Sequence, residues 1–223
     1  MLDIIYEDDV LLVCNKPPGL MVEPDRNNHL NLLQLVKNYL RETTQEKIPY
    51  AQHLHRLDRV TSGIVLFTKN KAYLRNLSEQ FAQRQVKKEY VALTGALSVH
   101  STGSATTSVS ELKTLTHWHR KEKKKAMLFD EEMHYTEKAQ LDYVTEPYGN
   151  YFKWTINLHT GKYHQIRAQL ASIGCTIMGD ELYGSIMPYK ENAIALHAKR
   201  LFITHPVTQQ EMAFEVLENF SIM

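Results

Sequence analysis

The 223-residue sequence predicts an α+β domain built on a mixed, largely antiparallel sheet. Three observations predict it. Strand-like segments outnumber helical ones. The links between successive strand-like segments read as hairpin turns. The length and composition, 43% hydrophobic and 23% charged, suit one domain spanning residues 1–223 with a buried core.

Val10-Leu11-Leu12-Val13 is a short apolar run that Pro17-Pro18-Gly19 ends, a strand followed by a turn. Leu32, Leu33, Leu35, Val36, Tyr39 and Leu40 recur at helical spacing behind Asn31, which suits a helix cap. Ile64-Val65-Leu66-Phe67 reads as a buried strand. Asn70 suits the cap of a second helix that buries Leu74, Leu77 and Phe81, and Tyr90-Val91-Ala92-Leu93 is strand-like again. Residues 98–110 are rich in Ser, Thr and Gly and read as a flexible loop or irregular hairpin. Ala139-Gln140-Leu141-Asp142-Tyr143-Val144 alternates as a half-buried strand does, and so do Phe152, Trp154, Ile156 and Leu158. Tyr148-Gly149-Asn150 supplies the turn between those two strands. A third helix is predicted to begin near Thr160, to carry Ile166, Leu170 and Ile173 inward, and to end at Gly174. Leu201-Phe202-Ile203 and Met212-Ala213-Phe214-Glu215-Val216 complete the strands, and there is no internal repeat.

A net charge of +1 does not announce a nucleic-acid binder, but phosphate binding needs clustered cations, not a basic total. Clusters occur at Lys69-Asn70-Lys71, at Lys87-Lys88 and in the run Arg120-Lys121-Glu122-Lys123-Lys124-Lys125. By itself such a run reads as a solvated face. Cys14 and Cys175 do not make a disulfide framework and read as small core residues. No apolar run approaches the length of a membrane span, and Met1-Leu2-Asp3 does not open a signal peptide. The expectation is a cytoplasmic protein.

The most informative stretch is His55-Arg56-Leu57-Asp58-Arg59-Val60-Thr61-Ser62-Gly63. It sets one acid between two arginines and follows it with a polar turn. A carboxylate beside fixed positive charge stays ionised, and an ionised, fixed carboxylate can act as nucleophile or base. If the stretch is extended, Arg56 and Asp58 point to one side and Leu57 to the other, toward a core. The plainer reading is a structural ion pair and a turn cap.

His-Arg-Leu-Asp-x-x-Thr-Ser-Gly resembles the catalytic signature of the RluA-type pseudouridine synthases. The resemblance runs over nearly the whole chain. Ile5-Tyr6-Glu7-Asp8-Asp9 through Val13-Cys14-Asn15-Lys16-Pro17-Pro18-Gly19 is similar to the family's opening motif. Lys88-Glu89-Tyr90-Val91-Ala92, then Gly95, is similar to its Lys-x-Tyr motif. Thr160-Gly161-Lys162-Tyr163-His164-Gln165-Ile166-Arg167, with Ile173-Gly174, Gly179-Asp180 and Tyr183-Gly184, is similar to the third motif. Leu196-His197-Ala198 through His205-Pro206 is similar to the closing one. The resemblance implies a pseudouridine synthase fold, with a central sheet in two halves, flanking helices and an RNA cleft between the halves. It also implies a catalytic domain without the small S4-type RNA-binding domain that many relatives carry ahead of it.

The implied reaction breaks the N1–sugar bond of a uridine, rotates the base and joins C5 to the sugar. There is no redox change, so no cofactor is expected, and the sequence has no glycine-rich phosphate fingerprint. The resemblance makes Asp58 the catalytic carboxylate, attacking the substrate or taking a sugar proton. The target base must be turned out of its stack. Arg56 matches the family's arginine at that step, and a planar guanidinium can fill the place a base has left. Tyr90 matches the active-site tyrosine, able to stack on the base and relay a proton. Arg167 is implied as the partner that orients Asp58. Lys88, His164 and Leu196 are implied around the substrate, as phosphate contact, RNA or supporting contact, and apolar pocket wall. The partner expected is RNA, a ribosomal or transfer RNA stem-loop, bound by a monomer with no membrane and no small-molecule cofactor.

Two other readings of the residues stand beside this one. His53-x-His55 and His117-x-His119 each place two imidazoles on one strand face, and His53, His55 and Asp58 together suit a metal-assisted hydrolase. No Cys-x-x-Cys or His-Glu-x-x-His pattern accompanies them, and no metal site is expected. The other is a non-catalytic RNA-binding module, against which the presence of Asp58, Tyr90 and Arg167 argues. Which RNA and which uridine are modified is not written in the sequence.

Overall fold

Strands β1 (Ile4–Glu7), β2 (Leu11–Lys16), β3 (Gln52–His53), β4 (Ser62–Thr68) and β5 (Lys87–Gly95), with helices α1 (Leu32–Thr44) and α2 (Leu74–Ala82), make up the N-terminal part of the chain. They are followed by β6 (Lys113–Glu122), β7 (Lys125–Phe129), β8 (Glu137–Tyr148), β9 (Tyr151–Leu158), α3 (Gln165–Ser172), β10 (Leu196–Thr204) and β11 (Glu211–Glu215). The structure is a computed structural model that describes residues 2–27, 29–95 and 111–220. Segment 98–110 therefore lies outside the described residues. The chain divides into two units. One takes in the chain through Lys88 and returns for Ala198–Glu218; the other is Glu89–His197, taken up again from Asn219.

In the first unit the strands run in the order β1, β2, β4, β10, with β3 on β4 and β11 on β10. The β1–β2 hairpin turns at Asp8, whose carboxylate accepts from the amides of Val10 and Leu11 at 2.8 and 2.7 Å. That anchoring shows why β1 forms although its sequence carries no clean alternation. Asn31 caps α1 as expected, its side chain accepting from Gln34 N at 3.0 Å. Asn70 caps a short 3-10 turn, Lys71–Tyr73, that leads into α2. The amphipathic face of α2 puts Leu77 and Phe81 against Leu11, Val13, Ile64 and Leu66, and Leu201 and Phe214 close the same core.

Gly63 shows how tightly β4 and β10 approach. It sits at φ 114, and a Cβ there would lie 2.3 Å from the Ala198 carbonyl oxygen. Both facts exclude a side chain. Gly63→Ala is expected to destabilise the first unit by about 3 kcal/mol or more, the range of severe backbone clashes. Urea unfolding measures this, and wild-type stability in the variant would contradict it.

In the second unit β5, β9, β8, β6 and β7 form a run in which each described pairing is antiparallel. The β8–β9 hairpin turns at Gly149, φ 60, as the sequence predicts. Its core holds Tyr143 against Trp154, ring centroids 4.8 Å apart, and Trp154 Nε1 donates to Thr94 Oγ1 at 2.9 Å. The α+β class and the antiparallel character stand as expected.

Two local expectations are corrected. The third helix begins at Gln165, not near Thr160. The Thr160 hydroxyl accepts from Gln140 N at 2.9 Å and donates to Gln165 Oε1 at 2.7 Å, so this residue ties the loop to β8 rather than opening a helix. Ile173 does not point inward. It ends the helix and is 39% exposed, while Ile166 and Leu170 are buried. The basic run, a solvated face by its residues alone and a candidate RNA contact by the family resemblance, is the tip of the β6–β7 hairpin. Cys14 and Cys175 are both buried and free, as expected, and burial pushes both thiols up, Cys175 to about 11.

Candidate active site

Asp58 sits just ahead of β4 in the first unit. Arg56 is exposed, Leu57 is 8% exposed and Asp58 is half-buried, the alternation expected of an extended stretch. The chain then turns, Thr61 N donating to the Asp58 carbonyl at 3.1 Å. What holds this turn is Lys16, at the end of β2. Its side chain is fully buried, and its Nζ donates to the carbonyls of Pro17 at 2.9 Å, Leu20 at 2.7 Å and Arg59 at 3.2 Å. Gly19 N donates to the same Arg59 carbonyl at 2.8 Å, and Arg59 Nε donates back to the Gly19 carbonyl at 3.2 Å. Burial pulls the Lys16 ammonium down to about 7, and the Asp58 carboxylate opposes that pull. The opening motif and the acid motif are thus one stitched structure. The sequence reading quoted Lys16 in a motif and gave it no role. The available signal was a lysine closing an apolar strand immediately before Pro-Pro-Gly.

The Arg56 guanidinium pairs with Glu23, whose carboxylate also lies 3.4 Å from His53 Nε2. Sequence reasoning missed Glu23, which no motif marks. With 61% of the Arg56 side chain exposed, this pair is a weak surface tie that an incoming base or phosphate can break.

His55 has a different character. Its ring stacks on Phe81 with centroids 5.3 Å apart, and its Nε2 accepts from Leu66 N at 3.2 Å. Burial, helped by the positive charges of Lys88 and His53, pushes its pKa down to about 3. A histidine whose folded pKa lies below its unfolded value near 6.5 binds fewer protons folded than unfolded between the two. Stability from this group is therefore full above about pH 6.5 and falls as the pH drops toward 3. His55→Gln, which keeps an acceptor for Leu66 N, is expected to flatten that acid loss. Urea midpoints at pH 7 and pH 5 measure it, and equal losses in both proteins would contradict it. Lys88, at the start of β5, is half-buried, and burial and Arg84 lower its pKa.

In the second unit Tyr90 is 7% exposed on β5, opposite Ile156 of β9. Arg167, on α3, is buried and makes a two-pronged pair with Asp180, Nε to Oδ2 and Nη2 to Oδ1 both 2.8 Å. Its guanidinium also lies 5.2 Å from the Tyr183 ring centroid. Asp180 is the orienting carboxylate that sequence reasoning quoted but did not assign. His164 occupies the position just ahead of α3 at φ 51, its ring stacked on Tyr163 at 3.8 Å and its Nδ1 3.2 Å from the Tyr183 hydroxyl. Leu196 is buried at the start of β10. The structure thus groups Arg56, Asp58 and Lys88 in the first unit and Tyr90, His164, Arg167 and Leu196 in the second.

The metal-hydrolase reading needs histidines free to converge on an ion. Among the described residues no three His, Cys, Asp or Glu side chains converge as ligands. His55 Nε2 is engaged by a backbone amide, and His119 Nε2 by the Tyr163 carbonyl at 2.8 Å. His117 faces Gln169 Nε2 at 3.1 Å.

Comparison with known proteins bears on the family and the fold. A family model described as RNA pseudouridylate synthase matches residues 10–172. The dual-specificity RNA pseudouridine synthase RluA of Escherichia coli is 32% identical over 221 residues, covering 97% of this chain and 93% of that protein. The tRNA pseudouridine synthase C of Haemophilus ducreyi is 31% identical over 227 residues, covering 97% and 90%. The solved human RNA pseudouridylate synthase domain containing 4 superposes with a TM-score of 0.73 at 20% identity, covering 96% of this chain and 88% of that one. Human RNA pseudouridylate synthase domain containing 1 gives 0.72 at 22%, covering 98% and 84%. These two establish likeness of fold.

Proposed function

Because the chain belongs to the RNA pseudouridylate synthase family, whose members are isomerases converting uridine in RNA to pseudouridine, we propose that Asp58 is its catalytic carboxylate and that its substrates are uridines in ribosomal or transfer RNA stem-loops. The observation that carries the Asp58 assignment is the turn stitched by Lys16. A fully buried ammonium binds three carbonyls to hold one half-buried carboxylate in place. Such fixed placement is what a reacting group needs and a surface turn does not.

In this reading Arg56 leaves Glu23 and enters the gap from which the uridine swings. Tyr90 stacks on the extruded base, and Arg167, already oriented by Asp180, is a further residue of the reaction. Lys88 and His164 contact the RNA, and Leu196 walls the base pocket. The N1–sugar bond breaks, the C5–sugar bond forms, the C5 hydrogen leaves as a proton and N1 gains one. The balance needs no oxidant or cofactor. The dual-specificity name of the Escherichia coli relative supports both RNA classes. We take residues 1–223 as one catalytic domain of a cytoplasmic monomer. Among the described residues no helix is long and apolar enough to cross a membrane.

The test is to map pseudouridines in total RNA from cells with and without the gene, then to treat the unmodified RNA with purified protein. Restoration at the lost position supports the reading, and an unchanged map with no activity in vitro overturns it. Binding to that RNA is expected to weaken steeply with salt, the logarithm of affinity falling by about 0.7 per phosphate contact for each decade of salt on single strands. An affinity flat from low to high salt would count against RNA as the partner.

A further inference from the structure

The lysine run has an anchored architecture that a solvated face does not need. Lys121, Lys123, Lys124 and Lys125 are exposed at the tip of the β6–β7 hairpin. The acid within the run, Glu122, is engaged by Arg120. Among the described residues none of the four lysines has a carboxylate partner. The tip they ride on is fixed to the loop that carries the third motif. His119 Nε2 meets the Tyr163 carbonyl at 2.8 Å, and the Tyr163 hydroxyl donates to the Lys124 carbonyl at 3.4 Å. Lys121 Nζ lies 4.4 Å from the Tyr163 ring centroid, and Ala126 N donates to the Tyr183 hydroxyl at 2.8 Å. Tyr163 stacks in turn on His164.

Four uncompensated ammonium groups are therefore held at a defined place beside His164, Tyr183 and Arg167. Holding like charges together costs free energy that a counter-charge would recover. We propose that the tip of the β6–β7 hairpin is a docking strip for the phosphate backbone of the substrate RNA, lying outside the base pocket, with Tyr163 as the post that positions it. This deepens the synthase reading and rests on it for the identity of the RNA. Each lysine meets a phosphate as a point charge, so the strip contributes affinity and register, not base identity.

Two measurements test this. Direct binding of bulk transfer RNA across a salt series is compared for wild type and for Lys121→Gln, Lys124→Gln and Lys125→Gln combined. The expected result is a salt slope smaller by about two, from three lost phosphate contacts. On the mapped substrate the same variant is expected to raise KM about tenfold while kcat at saturating RNA holds within about twofold. A control combines Arg41→Gln, Lys47→Gln and Arg75→Gln, exposed cations of the first unit, and removes the same total charge. It is expected to keep the wild-type slope. Tyr163→Ala keeps all four lysines and is expected to weaken binding severalfold with little change in slope, because only placement is lost.

The proposal is overturned by an unchanged slope in the triple variant, by an equal loss in the control, or by a fall in kcat with KM untouched. Loss of binding to poly-glutamate but not to RNA would assign the strip to an acidic protein instead, and also overturns it. If the wild type forms no pseudouridine, the synthase reading fails, while the binding series still decides the strip.

Discussion

Asp58→Asn forms no pseudouridine at any RNA concentration and still binds the RNA. The carboxylate is the one group the proposed reaction needs for bond breaking, whether it attacks the substrate or takes a sugar proton. The amide can do neither, being a poor nucleophile and a poor base. Loss of such a group costs about 10,000-fold or more in kcat. The change is nearly isosteric, and the turn is closed by backbone groups, Thr61 N to the Asp58 carbonyl and the Arg59 carbonyl to Lys16. Both survive the substitution. RNA affinity, which rests on phosphate contacts, survives with them. Release of tritium from RNA labelled at uridine C5 reads the reaction, and filter binding reads the affinity. Product formed by the variant at even a hundredth of the wild-type rate would remove Asp58 from the chemistry. Loss of binding together with activity would make its role structural.

How much of this was legible depends on the range over which each feature is decided. Asn31 capping α1, the Gly149 turn and the alternation through β8 and β9 are settled within a few residues, and the sequence shows them. The β6–β7 hairpin is not, because Lys113–Glu122 alternates among Thr, His, Arg and Lys with few apolar positions. Its inward face is decided by His119 reaching Tyr163, 44 residues along the chain. The same holds for the site. Asp58, Arg56, Tyr90 and Arg167 stand in motifs that mark them as candidates, but Glu23 against Arg56 and Asp180 against Arg167 are 33 and 13 residues from their partners. A carboxylate opposite a distant arginine leaves no local pattern. Thr160 misled for a related reason. The helical pattern runs back to it, and only the fold shows that its hydroxyl engages Gln140 of β8 and the Gln165 side chain.

Lys16→Met, the second large effect, separates the holding of the carboxylate from the carboxylate itself. Methionine matches the length of the lysine stem and suits an enclosed apolar position, so packing is largely kept. What goes is the ammonium, and only an ammonium has three N–H donors for the three carbonyls of Pro17, Leu20 and Arg59. Each carbonyl left without a donor costs about 1–3 kcal/mol when buried. These three are partly buried, and relief from desolvating the charge offsets part of the loss. The expected net is about 2–4 kcal/mol of destabilisation. The larger effect is on rate. With the 17–20 turn and the 58–61 turn no longer stitched together, Asp58 drifts, and a displacement near 1 Å costs about 100-fold in kcat. Lys16→Arg is expected not to rescue, because a guanidinium is too wide for a site in which lysine has no exposed surface. Urea unfolding and single-turnover tritium release measure the two effects separately. The rate is expected to fall in Lys16→Met protein that remains folded under the assay conditions. Full activity in a folded Lys16→Met protein would show that the Asp58 turn holds its shape without the ammonium.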